Sequence, residues 1–221
     1  MRNEIWSHPG KPLVYHLSEV AKVATNSVRD KILDLEIKYN GTALKNINDL
    51  VVHLVYLAAA FHDLGKATKY FQKYIRNPQI HNDKYKSHAL LSALFVYFIS
   101  RRFLDDKGLD QDLSTLLAVF TFSSVKRHHG TLGNLSEEIL IDNEWQEILS
   151  IQIKSIDPDQ ASEIINYLLS GLDIEIDWDE FLEFIEKIEY NNIFDDFSYD
   201  VLQDSLEDID ENTKISLFYI H

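Results

Sequence analysis

Apolar residues recur along this chain at steps of three and four, and that regularity restricts its fold more than any motif does. Starting at Leu13, the residues Leu17, Val20 and Val23 fall on one side of a 3.6-residue turn, and His16 shares that side. The same period returns in "INDLVVHLVYLAAAFHD", "KSHALLSALFVYFISRRFL" and "QDLSTLLAVFTFSSVKRHHG". Only 7 glycines and 4 prolines interrupt 221 residues, and strand-type alternation is weak. An all-α chain is the expectation.

The first helix is expected over residues 13–37. A second takes Asn48 or Asp49 as its cap and exits through Leu64 and Gly65. A short third, "KATKYFQKYI", stops before Pro78, a fourth begins near Ser87, and a fifth ends at Gly130. "SEEILIDNEWQEILSI", "DPDQASEIINYLLSGL" and "WDEFLEFIEKIE" read as further helical segments, followed by the acidic "DDFSYDVLQDSLEDIDEN". The closing "TKISLFYIH" is apolar and periodic, which reads as a helix continuing into a longer polypeptide or as a docked terminal helix.

A hydrophobic content of 45% supports a sizeable core. The absence of cysteine excludes disulfides, thiolate metal sites and thiol nucleophiles, so any metal must sit on His, Asp or Glu. No continuous apolar signal region and no run of about 18 uncharged apolar residues is seen, so a soluble, cytoplasmic chain without a membrane partner is expected. The net charge of -15 is unevenly spread: residues 1–130 hold 18 of the 21 Lys and Arg but only 12 of the 36 Asp and Glu. A basic first part suits a polyanionic substrate, although a solvated surface is the plain alternative for either part. We expect a core over 1–135 and an acidic helical extension over 136–221 packed on it.

Five of the nine histidines stand in a suggestive order: His16, His62 beside Asp63, His88, and the pair His128 and His129. Each alone has an ordinary explanation, such as a core histidine or a cation at a helix C-terminus. Together they fall at ends or inward faces of predicted helices, and with Asp63 they supply enough donors for two transition-metal ions. Adjacent helical residues point about 100° apart, so His62 and Asp63 reach one ion only from a helix end, which Leu64 and Gly65 provide. Lys66 follows at the same mouth, suited to a phosphate oxygen or to the first turn of the next helix.

"HDLGK" after an isolated histidine on the first helix, then "SHALLSA", then "KRHHG", resembles the HD-domain phosphohydrolase superfamily. More narrowly, and with "WSHPGKPLVYHLSEVA" at the start, residues 1–130 resemble the HD nuclease domain of the type I CRISPR-associated helicase-nuclease. The resemblance implies a compact HD-domain helical bundle and a two-metal site. His16, His62 and Asp63 would hold one ion, with Asp63 bridging, and His88, His128 and His129 would hold the second. Lys66 would contact the scissile phosphate, making Asp63 and Lys66 the catalytic pair. A final aspartate on a later helix is also implied; Asp195, Asp196 and Asp200 are candidates by type, or it lies beyond His221.

Imidazole-rich donor sets favour Mn, Fe, Co, Ni or Zn over Mg. Lys69, Lys73, Lys126 and Arg127, beside Lys66 and with Tyr70 and Phe71 interleaved, could guide a flexible single strand by charge and stacking. The resemblance implies the same single-stranded DNA substrate, a helicase domain as partner, fused or separate, and an RNA-guided type I surveillance complex that opens the target. Two rivals share the residues: an HD-type nucleotide or cyclic-nucleotide phosphohydrolase, and a non-enzymatic helical interaction module with a vestigial metal site, for which the acidic run from Asp173 to Glu211 speaks.

Overall fold

A computed structural model describes residues 4–31, 38–39, 42–43, 47–77, 79, 84–131 and 143–190. Helices dominate them, as the apolar period demands, with two small two-stranded ribbons alongside. The expected aspartates Asp195, Asp196 and Asp200 and the terminal "TKISLFYIH" lie outside the described residues.

Strands β1 (Trp6–His8) and β2 (Lys11–Pro12) pair antiparallel through a turn in which Gly10 takes φ 75°, a value L side chains rarely adopt. The chain passes from β2 straight into α1 (Leu13–Arg29), with Pro12 at the N-cap. Leu13, Leu17 and Ala21 are each 0% exposed, whereas Val23 is 65% exposed. The buried row therefore runs at steps of four through Thr25, and the expected stripe through Val23 is corrected accordingly. A four-step row ending on small residues lets α2 approach closely.

The first helix also stops eight residues short of its expected end at Ile37. The N–H of Asp30, the C-cap, bonds back to the Asn26 carbonyl at 3.2 Å and that of Lys31 to the Val28 carbonyl at 2.9 Å, which tightens the final turn. Downstream, β3 (Lys38–Tyr39) pairs antiparallel with β4 (Thr42–Ala43).

Helix α2 (Ile47–Phe61) begins ahead of the expected cap at Asn48 or Asp49. A 3₁₀ turn, Leu64–Ala67, follows, and then α3 (Lys69–Arg76), where the Thr68 hydroxyl accepts the N–H of Phe71 at 3.2 Å. Helices α4 (Ala89–Asp106) and α5 (Gln111–Lys126) are joined by a short link in which Gly108 has φ 70° and Asp110 caps α5. Three more complete the described set: α6 (Asn143–Ile153), α7 (Pro158–Leu169) and α8 (Trp178–Tyr190).

The core is organised on α4. Its residues from Leu90 to Tyr97 are buried without interruption, the mark of a helix surrounded by others rather than lying on a surface. Helix α5 packs along it, and α2 touches α1, α4 and α5. Phe95 sits 5.0 Å from Phe61 and 5.0 Å from Phe181 by ring centroid, and Trp178 stacks on it at 6.3 Å. The segment Ile47–Ala67 has a mean hydropathy of 1.2, enough by length and composition to cross a bilayer, yet Leu54, Leu57 and Phe61 from it are core residues here.

Phe95→Ala is expected to lower folding stability by about 3–5 kcal/mol, through lost burial and the cavity left among three aromatic partners. Val23→Ala should change it by less than about 0.5 kcal/mol. Denaturant titration of the two variants beside the wild type checks the contrast.

Candidate metal centre

Three helix ends and one helix flank converge on a single carboxylate. His62 and Asp63 follow directly on the last residue of α2, and Asp63, with φ -117° and ψ 13°, has already left helical geometry. His88 is the N-cap residue of α4. His128 and His129 come just after α5, past the C-cap Arg127. His16 projects from the flank of α1, next to the buried Leu17.

Asp63 is 1% exposed, and its two oxygens divide the surrounding groups. Oδ2 lies 3.0 Å from His16 Nε2, 3.2 Å from His62 Nε2 and 2.7 Å from Lys66 Nζ. Oδ1 lies 3.0 Å from His88 Nε2 and 3.3 Å from His128 Nε2. His129 joins the second group through His88, Nε2 to Nε2 at 3.1 Å. Two donor sets result, one of His16, His62 and Asp63, the other of Asp63, His88, His128 and His129.

The protonation pattern is set by the backbone. Nδ1–H of His62 donates to the Ala59 carbonyl at 2.8 Å, and Nδ1–H of His128 donates to the Val125 carbonyl at 2.6 Å. A neutral ring with its proton on Nδ1 presents a lone pair at Nε2. Those lone pairs face a carboxylate, an acceptor too. Asp63 Oδ1 and His128 Nε2 are both buried without a hydrogen bond, so the contact between them at 3.3 Å is one of two acceptors. A cation between such groups relieves the repulsion, and histidines held through the far nitrogen are the usual arrangement of metal ligands. The residues present fit divalent metal.

Burial lowers the His88 and His16 imidazoles below their ordinary value, with the Asp63 charge opposing, and lowers His129 with help from the neighbouring His128. These rings stay neutral and able to bind metal. Burial by itself would raise the Asp63 carboxyl; contacts with the surrounding groups, His88 among them, outweigh it and hold the group ionised, well below the usual carboxylate range.

Lys66, 5% exposed, lies with its ammonium 5.4 Å from the centre of the Phe71 ring. Phe71 is buried with its ring edge against His88, 5.2 Å between centroids, so it walls the site. Tyr70 packs on Tyr85 at 5.1 Å. Lys69 and Lys73 are exposed on α3 and line a cleft of about 380 Å³ with Gln72, Arg76, Ser155 and Gln160. Lys126 is half-buried above the Phe122 ring at 5.6 Å, and Arg127 is exposed beside His128.

Sequence reasoning missed His8 and Gln72 beside this centre, and saw Gly65 only as a helix exit. His8 on β1 places its ring 5.1 Å from that of His16. The buried Gln72 side chain donates to the carbonyls of Trp6 and Lys66, each at 2.8 Å, tying β1 to the 3₁₀ turn. Gly65 meets His88 so closely that an added Cβ would lie 2.5 Å from its carbonyl oxygen. A glutamine inside a short basic helix and a glycine directly after "HDL" were the only visible signals.

Residues 4–178 match the family described as Cas3, HD domain. The CRISPR-associated nuclease/helicase Cas3 of Haloferax volcanii is 32% identical over 138 residues, which are 59% of this chain and 14% of that protein's length. A solved structure, the CRISPR-associated Cas3 HD domain protein of Methanocaldococcus jannaschii, aligns over 86% of this chain and 88% of its own at 16% identity and a TM-score of 0.42.

Asp63→Asn keeps the volume of the side chain but removes the charge that both donor sets share. Metal analysis of the purified variant is expected to show a loss of bound divalent ion relative to wild type, with affinity down by at least the roughly 10–100-fold known for lost outer partners of metal ligands. His53→Ala, a control on α2 whose ring stacks on Phe103, should retain the wild-type content.

Proposed function

We propose, from the premise that this chain belongs to the Cas3 HD domain family, that it hydrolyses phosphodiester bonds of single-stranded DNA with two divalent transition-metal ions. The observation that carries the reading is the division of the Asp63 carboxylate, each oxygen facing its own set of imidazoles. His16, His62 and Asp63 would hold one ion, and Asp63, His88, His128 and His129 the other. Bound there, such a pair supplies Lewis acidity at the scissile phosphate and a means of activating water near neutral pH. Donors that are mostly imidazole favour Mn, Fe, Co, Ni or Zn over Mg.

The remaining work falls to the chain's own groups. Lys66 places its ammonium at the mouth, steadied by Asp63 at 2.7 Å and the Phe71 ring, where it can bind a non-bridging phosphate oxygen as negative charge grows on it. The Nδ1–H bonds to Ala59 and Val125 fix the His62 and His128 rings, so the donors need no reorganisation. Lys69, Lys73, Lys126 and Arg127 would draw a strand toward these helix ends, which a flexible single strand enters more readily than a stiff duplex.

The Haloferax volcanii relative is named a nuclease/helicase, and we read this chain in the same way as working with a helicase domain that delivers the strand. That role belongs to cytoplasmic type I CRISPR interference, after an RNA-guided complex has opened the target.

Circular single-stranded DNA and a panel of nucleotides and cyclic nucleotides, each with Mn, Ni or Co, provide the test. Nicking of circles that a chelator abolishes is expected, as is a drop of about 10²–10³-fold in kcat for Lys66→Ala with metal content retained. Hydrolysis of nucleotides without nicking would overturn the nuclease reading.

A further inference from the structure

Ser92 connects the two donor sets through the backbone. The residue is wholly buried in the first turns of α4. Its hydroxyl donates to the His88 carbonyl at 2.9 Å, and the same oxygen accepts the N–H of Gly65 at 2.9 Å. With a single hydrogen to give, the hydroxyl has both roles determined: His88 takes the proton, and Gly65 must be the donor.

Serines in helices commonly return their hydrogen to the carbonyl four residues back. Accepting an amide 27 positions away in sequence is not part of that habit. The amide in question belongs to the turn between Asp63 and Lys66, and the carbonyl belongs to a metal-site histidine. One buried oxygen thus spans from the segment carrying the shared carboxylate to the segment carrying His88, whose Nε2 stands 3.0 Å from Asp63 Oδ1. Gly65 allows the approach, since a Cβ there would meet the His88 carbonyl oxygen at 2.5 Å. On the far side, Gln72 grips the Lys66 carbonyl at 2.8 Å, so the turn is held from two directions.

We propose that Ser92 is a positioning residue that sets the separation of Asp63 from His88, and through it the affinity of the His88, His128 and His129 set for its ion. The inference rests on the two-ion reading given above. It assigns Ser92 no contact with substrate or metal; the hydroxyl acts by holding two backbone segments in register. A serine that merely satisfied the buried Gly65 amide would contribute to stability and leave metal affinity alone.

Calorimetric titration of the metal-free 221-residue chain with nickel chloride separates these roles without DNA, so a failure of the nuclease reading leaves the result interpretable. Ser92→Ala is expected to weaken one of the two binding events by about 10–100-fold while the other stays near wild type. Ser92→Cys, slightly larger but still a weak donor and acceptor, should fall between. Ser100→Ala is the control: Ser100 is equally buried on α4 and accepts the Thr121 hydroxyl at 3.2 Å, away from the centre. It should lower Tm comparably and leave both binding events unchanged. Wild-type titration of Ser92→Ala overturns the proposal. So does weakening shared equally by Ser92→Ala and Ser100→Ala, or a wild-type chain that takes up one ion only. If Ser92→Ala does not fold, Ser92→Cys decides, and a wild-type titration there counts against the proposal.

Discussion

A carboxylate sealed inside a protein and still ionised requires compensation from every side, and Asp63 has it. Taking such a charge from water costs several kcal/mol at least unless partners replace the lost hydration. Lys66 supplies one full charge at 2.7 Å, and four imidazoles stand within 3.3 Å of one oxygen or the other. The positions of α1, α2, α4 and α5 follow from that demand, because each contributes its donor from an end or a flank that only this packing brings to Asp63. The acceptor-to-acceptor contact between Asp63 and His128 marks the part of the demand that protein groups do not meet and that a divalent cation would.

Delivery from helix ends is a geometric necessity. Neighbouring side chains within a helix diverge by about 100°, so His62 and Asp63 could not share an ion from the middle of α2. Once the chain leaves helical geometry at Asp63, they point inward together, and the 3₁₀ turn brings Lys66 back over the same oxygen. The same departure from α5 allows His128 and His129 to lie with ring centroids only 3.8 Å apart. Gly65 meets the cost of this crowding, leaving room where a larger residue would meet the His88 carbonyl oxygen at 2.5 Å.

Much of this was legible beforehand. The 3.6-residue period announced the helices, and the histidine order announced which imidazoles gather around Asp63, since residue type and placement near helix termini are local properties. What the period could not show was which residues of α1 face inward: Leu13, Leu17 and Ala21 do, at steps of four, and Val23 does not. Nor could it show where α1 ends, at Arg29 rather than Ile37, because apolar spacing continues past the C-cap at Asp30.

The sequence by itself determined the chemistry available: five imidazoles, one aspartate and one lysine placed around helix ends, no thiol, and a basic first part set against an acidic remainder. Tertiary structure decided how those groups are shared out, sending His16, His62 and Lys66 to one oxygen of Asp63 and His88 and His128 to the other. It also supplied the holding groups, Gln72 and Ser92, which look ordinary in the sequence. Their partners lie in other segments of the chain, and hydrogen bonds formed across such distances depend on packing, which local spacing does not record.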